Sequence, residues 1–206
     1  MDIHGPGHCN CHSENSDLDP FGNDLLSSIH LDRVYCLNES EHGSCKNPFK
    51  IKEEKLERTR VLKSNQGDPE LLLFIPFICP VKLKSINIIG GGSGTTPSQV
   101  RLFRNQDNID FGTIENMPPV QVFDLLENPY GEIEYGTRVT RFANTNSLIM
   151  HFPQSTGEDY LEISYIGLKG ESSGIRKEAV VAVWESRPMP KDHRTFEDAL
   201  GQAPIR

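Results

Sequence analysis

Apolar side chains in this chain recur at a period of two over short stretches. That period belongs to half-buried strands and limits the fold more than any other feature. Leu148, Met150 and Phe152 take one phase against Ile149 and His151, and Leu161, Ile163 and Tyr165 take one phase against Glu162 and Ser164. Strands are therefore expected over residues 147–152 and 160–168, with others at 71–75, 81–89, 100–103, 120–123, 137–142 and 179–184. Pro76 and Pro80 are expected to separate the strand at 71–75 from the one at 81–89. Within 81–89 the apolar phase slips from Val81 and Leu83 to Ile86 and Ile88, which predicts a bulge around Ser85. No long segment has helical spacing, and no strand–helix–strand alternation occurs. Short strands split by Gly, Pro and Asn turns predict an all-β fold, an antiparallel β-sandwich or jelly roll.

The two ends read differently. Residues 1–19, with His4, Gly5, Pro6, Gly7, Asn10, Ser13 and Asn15, hold little that is apolar, so a disordered tail is expected there. Structure should begin near Pro20 and Phe21, followed by a short helix capped by Asn23 or Asp24. Pro188 and Pro190 cannot continue a central strand, which bounds the domain at residues 20–187. Residues 188–206 then form a second tail, with one weak helical turn at 196–200. Of the 206 residues 36% are hydrophobic, enough for a single core, and Trp184 is placed in it at the end of the last strand.

Charge narrows the partners. The formal net charge is -8, so binding to nucleic acid or to anionic lipid is disfavoured. The longest apolar run, 71–79, is interrupted by Pro76 and is too short to cross a bilayer. No secretory signal is visible, and the five cysteines, an odd number, fit reduced thiols. A cytoplasmic protein is expected, with the nucleus as a further compartment, and the sequon Asn38-Glu39-Ser40 reads as coincidence. The charge is also uneven: residues 1–43 carry eight acids and one base, whereas residues 44–64 carry seven bases and three acids. Lys50, Lys52, Lys55, Arg58 and Arg60 make up most of the basic stretch. Glu53, Glu54 and Glu57 interleave with them, so the first reading is a solvated face; the second is a docking patch for an acidic protein.

Candidate chemistry is sparse. Gly90-Gly91-Gly92-Ser93-Gly94-Thr95-Thr96-Pro97 follows a strand but lacks the Lys-Ser/Thr ending of a phosphate loop, and reads as a mobile connection. His8, Cys9, Cys11 and His12 are suitable zinc or copper ligands, yet they lack Cys-x-x-Cys spacing and lie in a tail; adventitious chelation is the expected behaviour. Cys79 reads as a small buried hydrophobe and His151 as a structural histidine. Nothing in the spacing pairs two carboxylates for acid–base work.

Several ordered motifs resemble the PITH domain family. They are Asp68-Pro69-Glu70 leading into 71–77, Lys82-Leu83-Lys84-Ser85-Ile86, and Pro97 with Val100-Arg101-Leu102-Phe103-Arg104-Asn105. Arg141-Phe142-Ala143-Asn144 with Ser147-Leu148, Tyr165-Ile166-Gly167-Leu168-Lys169-Gly170, and Arg187-Pro188-Met189-Pro190-Lys191-Asp192-His193-Arg194 complete the set. The resemblance covers residues 20–195 and implies a jelly-roll sandwich similar to galactose-binding-like domains. The family name abbreviates proteasome-interacting thioredoxin. No Cys-x-x-Cys occurs in this sequence, so thioredoxin chemistry does not transfer. The resemblance implies a monomeric, non-catalytic protein-interaction module without a cofactor, docking on the proteasome or its regulators. Its contacts are expected in the basic stretch and in the tail residues Lys191, Asp192, His193 and Arg194. The alternative, from fold analogy, is small-ligand or glycan recognition of lectin type through the loop aromatics Phe111, Tyr130 and Tyr135.

Overall fold

The computed structural model describes residues 19–106 and 110–174. Its strands are β1 (Asn23–Asp24), β2 (Tyr35–Leu37), β3 (Leu62–Lys63), β4 (Leu71–Gly90), β5 (Gln99–Arg104), β6 (Gln121–Asp124), β7 (Glu134–Gly136), β8 (Thr145–Phe152) and β9 (Glu162–Ser172). Among the described residues one α-helix, α1 (Phe111–Asn116), lies between β5 and β6. The sheet runs β1-β9-β4-β8-β5-β6, with β2 and β7 also on β4 and β3 on β9, and every pairing is antiparallel.

β4 decides the architecture. Its first residues, Leu71 to Pro76, pair with β8, and Val81 to Gly90 pair with β9, so one strand serves both layers of a curled antiparallel sheet. This is the all-β jelly-roll sandwich that the period of two predicts. The break expected between Pro76 and Pro80 is corrected: the chain stays extended through both prolines. The reason lies in the pairing. The register against β8 jumps between Pro76 and Val81, so the missing N–H groups fall where β4 exchanges one partner for the other. The proline carbonyls are still used, Pro76 accepting from the His30 N–H at 2.9 Å and Pro80 from the Ser173 N–H at 3.0 Å. The bulge expected around Ser85 is present as a register shift between Leu83 and Ser85 against β9.

Two other expectations are corrected. Residues 137–142 form turns, closed by Arg141 N–H to Arg138 O and Phe142 N–H to Val139 O; the strand, β7, ends just before them. Phe142 produced the apolar signal, because it is a fully buried core side chain carried on a turn. The helix expected after Asn23 is a single 3-10 turn, Leu26–Ser28, with Asp24 Oδ1 accepting from the Leu26 N–H at 2.7 Å.

The main core joins both halves of β4, with Leu71, Leu73 and Ile75 from one and Leu83, Ile86 and Ile88 from the other, packed with Met150, Phe152 and Ile163. Fully burying each such side chain stabilises the fold by about 1.5–3 kcal/mol. On the outer side Leu72, Phe103 and Ile149 are covered by Ile114 of α1, whose N-terminus is capped by Asp110 accepting from the Thr113 N–H at 2.7 Å. The strand expected at 179–184 with Trp184, residues 1–18 and 188–206 of the two tails, and the helical turn at 196–200 lie outside the described residues; Asp19, expected in the first tail, is held in the fold, accepting from the Phe21 N–H at 3.0 Å. Among the described residues no helix is long and apolar enough to cross a membrane.

Candidate functional site

The basic stretch folds as an arm that Lys50 anchors from beneath. The Lys50 side chain is 2% exposed, and its ammonium lies 3.4 Å from the Glu57 carboxylate. It donates to the carbonyls of Glu57 at 2.7 Å and Arg60 at 2.9 Å. A buried ammonium persists only where such acceptors replace its water, so Lys50 faces inward and is removed from the expected docking set. Hydrogen bonds from Thr59 and then Arg60 hold the Glu57 carboxyl below its usual range. Two further bonds clamp the arm to the loop after β6, Lys55 Nζ to Gly131 O at 3.3 Å and Arg58 Nη2 to Pro129 O at 3.1 Å. Lys52, Arg58 and Arg60 remain exposed. Beside them Ile51 and Leu56 of the arm, and Leu126 and Tyr130 of the loop, are between half and two-thirds exposed.

Beneath the arm lies a cavity of about 250 Å³. Its floor is set where Asn87 of β4 faces Gly167 of β9. A Cβ at Gly167 would stand 2.8 Å from the Tyr165 hydroxyl and 2.9 Å from Cε1, so the Tyr165 ring lies across the glycine. Asn87 is buried and donates through Nδ2 to Gly131 O at 2.9 Å and Ile133 O at 3.0 Å, while its Oδ1 has no partner among the described residues. The Tyr165 hydroxyl also has no hydrogen-bond partner among the described residues. Burial, with Asp24 and Glu134 nearby, pushes the Tyr165 phenol up to about 12, so it is neutral across the physiological range. Lys169 donates to Asp19 at 2.6 Å and to Glu134. Burial opposes its charge, but those two hydrogen bonds outweigh burial and raise its pKa. The bond from Lys169, together with one from the Phe21 N–H, holds Asp19 below its ordinary value. Asp24, Lys52 and Lys55 complete the wall.

The remaining sequence candidates do not converge here. The glycine-rich segment is tied down rather than mobile: Gly91 N–H donates to Glu162 O at 2.8 Å, Gly157 N–H to Gly94 O at 2.9 Å, and Thr95 Oγ1 to Gly92 O at 2.9 Å. His151 is a buried structural histidine with Nε2 2.6 Å from Glu70 Oε1. Cys36, Cys45 and Cys79 are buried free thiols; burial pushes Cys36 up and Cys45 to about 12. The Asn38 side chain is engaged internally, donating to Asp68 O and Glu70 O. Tyr135 packs on Phe123 at 5.5 Å and Phe111 lies against His151 at 6.5 Å, so the loop aromatics form no shared platform with Tyr130. His8, Cys9, Cys11 and His12, and Lys191, Asp192, His193 and Arg194, lie outside the described residues. Among the described residues no three His, Cys, Asp or Glu side chains are grouped to hold a metal. Sequence reasoning missed Asn87, Tyr165 and Lys169 as a group. The available signal was an asparagine inside the apolar run Ile86 to Ile89, and a lysine two residues beyond Gly167.

A model of the PITH domain matches residues 16–188. The chain belongs to the PITH family. PITH domain-containing protein 1 of Mus musculus is 37% identical over 198 residues, spanning 94% of this chain and 93% of the relative. The Xenopus laevis protein of the same name is 39% identical over 197 residues, with the same coverage. PITH domain-containing protein CG6153 of Drosophila melanogaster is 35% identical over 207 residues, spanning 97% of both chains. Among solved structures, the CBM32-1 and CBM32-2 domains of Clostridium perfringens ZmpB in complex with GalNAc superpose with TM-score 0.53 at 8% identity, covering 71% of this chain and 35% of that one. A family 89 glycoside hydrolase from Clostridium perfringens, in complex with 2-acetamido-1,2-dideoxynojirmycin, gives TM-score 0.52 at 13% identity, covering 75% and 15%. These likenesses show a shared fold. Within this PITH domain the segment Tyr165 to Gly170, through which the sequence resembles the family, contributes Tyr165, Gly167, Leu168 and Lys169 to the cavity.

Proposed function

We propose that this PITH domain is a non-catalytic docking module whose clamped arm binds an acidic segment of a protein partner, the proteasome or one of its regulators. One observation carries the reading: the arm is anchored by Lys50 and clamped through Lys55 and Arg58, yet presents Ile51 and Leu56 half exposed beside Arg58 and Arg60. Arginine is enriched among interface hot spots, apolar neighbours exclude water around it, and a pre-ordered segment loses little entropy on binding. The proteasome is the partner class that the family resemblance implies.

The test is recovery of purified 26S proteasome on the immobilised full chain. The triple variant Leu56→Ser, Arg58→Glu, Arg60→Glu, confirmed folded by its circular-dichroism spectrum, should lower recovery roughly tenfold. Unchanged recovery overturns the reading. Deleting residues 188–206 tests the tail separately, and equal recovery there removes Lys191, Asp192, His193 and Arg194 from the mechanism.

A further inference from the structure

We propose that the cavity beneath the arm binds one small, neutral, polyhydroxylated molecule of single-ring size. The site lies beneath the docking surface and uses none of the aromatics of the lectin alternative, and the argument comes from its own groups. Asn87 Oδ1 is a buried acceptor that no described residue satisfies, and the Tyr165 hydroxyl near it is free to donate and accept. A buried polar group without a partner is rare in a native fold and calls for one. Both groups are already fixed in place, Asn87 by two carbonyls and the Tyr165 ring by its seat on Gly167.

The wall then selects for chemistry. Three carboxylates, Asp19, Asp24 and Glu134, face three ammonium groups, Lys52, Lys55 and Lys169. An anion gains from the lysines what it loses to the acids, and a cation meets the reverse. Hydroxyl groups suit both, donating to the carboxylates and the phenol oxygen and accepting from the ammoniums and the phenol hydroxyl. Size limits the rest, since about 250 Å³ lies below the usual range of drug-sized sites and holds about one ring.

The experiment titrates the isotope-labelled full chain with myo-inositol and with D-glucose, using D-glucose 6-phosphate and D-glucosamine as charged counterparts. The readout is the chemical shift of the Asn87 side-chain amide and the Gly167 backbone amide. At least one neutral polyol should give saturable shifts with a millimolar dissociation constant, tighter than its charged counterpart. Tyr165→Phe keeps the ring over Gly167 and should weaken binding roughly tenfold. Lys52→Ala, on the exposed side of the wall, should weaken it about threefold and gives a second reading that does not depend on the buried tyrosine. Saturation by neither neutral polyol, preference for a charged probe, or unchanged affinity in both variants overturns the proposal. Leu56→Ser, which belongs to the docking surface and neither lines the cavity nor clamps the arm, should leave the titration unchanged, so failure of one reading is distinguishable from failure of the other.

Discussion

Two buried polar side chains, Asn87 and His151, each keep one atom unpartnered among the described residues, Asn87 Oδ1 and His151 Nδ1. Their surroundings part company. His151 is shut in: its Nε2 lies against Glu70, the Phe111 ring meets it edge-on, and the side chain is 2% exposed. Asn87 borders a cavity whose other groups are equally polar and equally well held. An unsatisfied atom in the first setting is a cost the fold carries; in the second it lies beside a cavity that the free Tyr165 hydroxyl also lines. The difference lies in space, not in burial, since both residues are well below the surface.

The comparison can be broken first at the closed region. His151→Ala empties a packed position and removes the hydrogen bond to Glu70, and should cost about 3 kcal/mol in urea unfolding while leaving the polyol titration unchanged in the folded protein. A cost under about 1 kcal/mol would remove the contrast in packing. Gly167→Ala comes next, because the new methyl collides with the Tyr165 ring and forces it from its seat. About 2 kcal/mol of stability should be lost, together with the shifts at Asn87. Asn87→Ala should cost about 1.5 kcal/mol: the carbonyls of Gly131 and Ile133 lose their donor, but the stranded Oδ1 disappears with the side chain.

The smallest effect is the share of the pH dependence that arises in the open region. Asp19 is held below 3.8, so its contribution is present above 3.8 and drains as the pH falls through the native value. Lys169 is raised above 10.5, so its contribution is full below 10.5 and is lost as the pH rises through the native value. Melting midpoints should therefore sag at both extremes. Lys169→Met should flatten the part of each sag that comes from this pair, and His151→Ala should leave both in place. Equal sags in Lys169→Met and the parent would sever the cluster from stability.

Much of the scaffold was legible because alternation is local. β8, β9 and the bulge near Ser85 follow from neighbours two residues apart. The continuity of β4 was not legible: prolines usually end strands, and only its change of partner makes them tolerable. Residues 137–142 misled for a related reason, since a turn can bury Phe142 as completely as a strand can. The arm was legible as charge but not as geometry. Nothing local marks Lys50 as the one lysine of that stretch whose ammonium meets two carbonyls, because its acceptors lie seven and ten residues away. The cavity was least legible. Asn87, Tyr165 and Lys169 are brought together by register across β4 and β9, a relation between distant segments.

β4 also bears on how the domain comes apart. Because one strand is stitched to β8 along its first part and to β9 along the remainder, neither layer keeps its edge if the other melts. Amide exchange along Leu71–Gly90 should then report a single opening unit, with slowly exchanging protons in both segments released together and not in two steps.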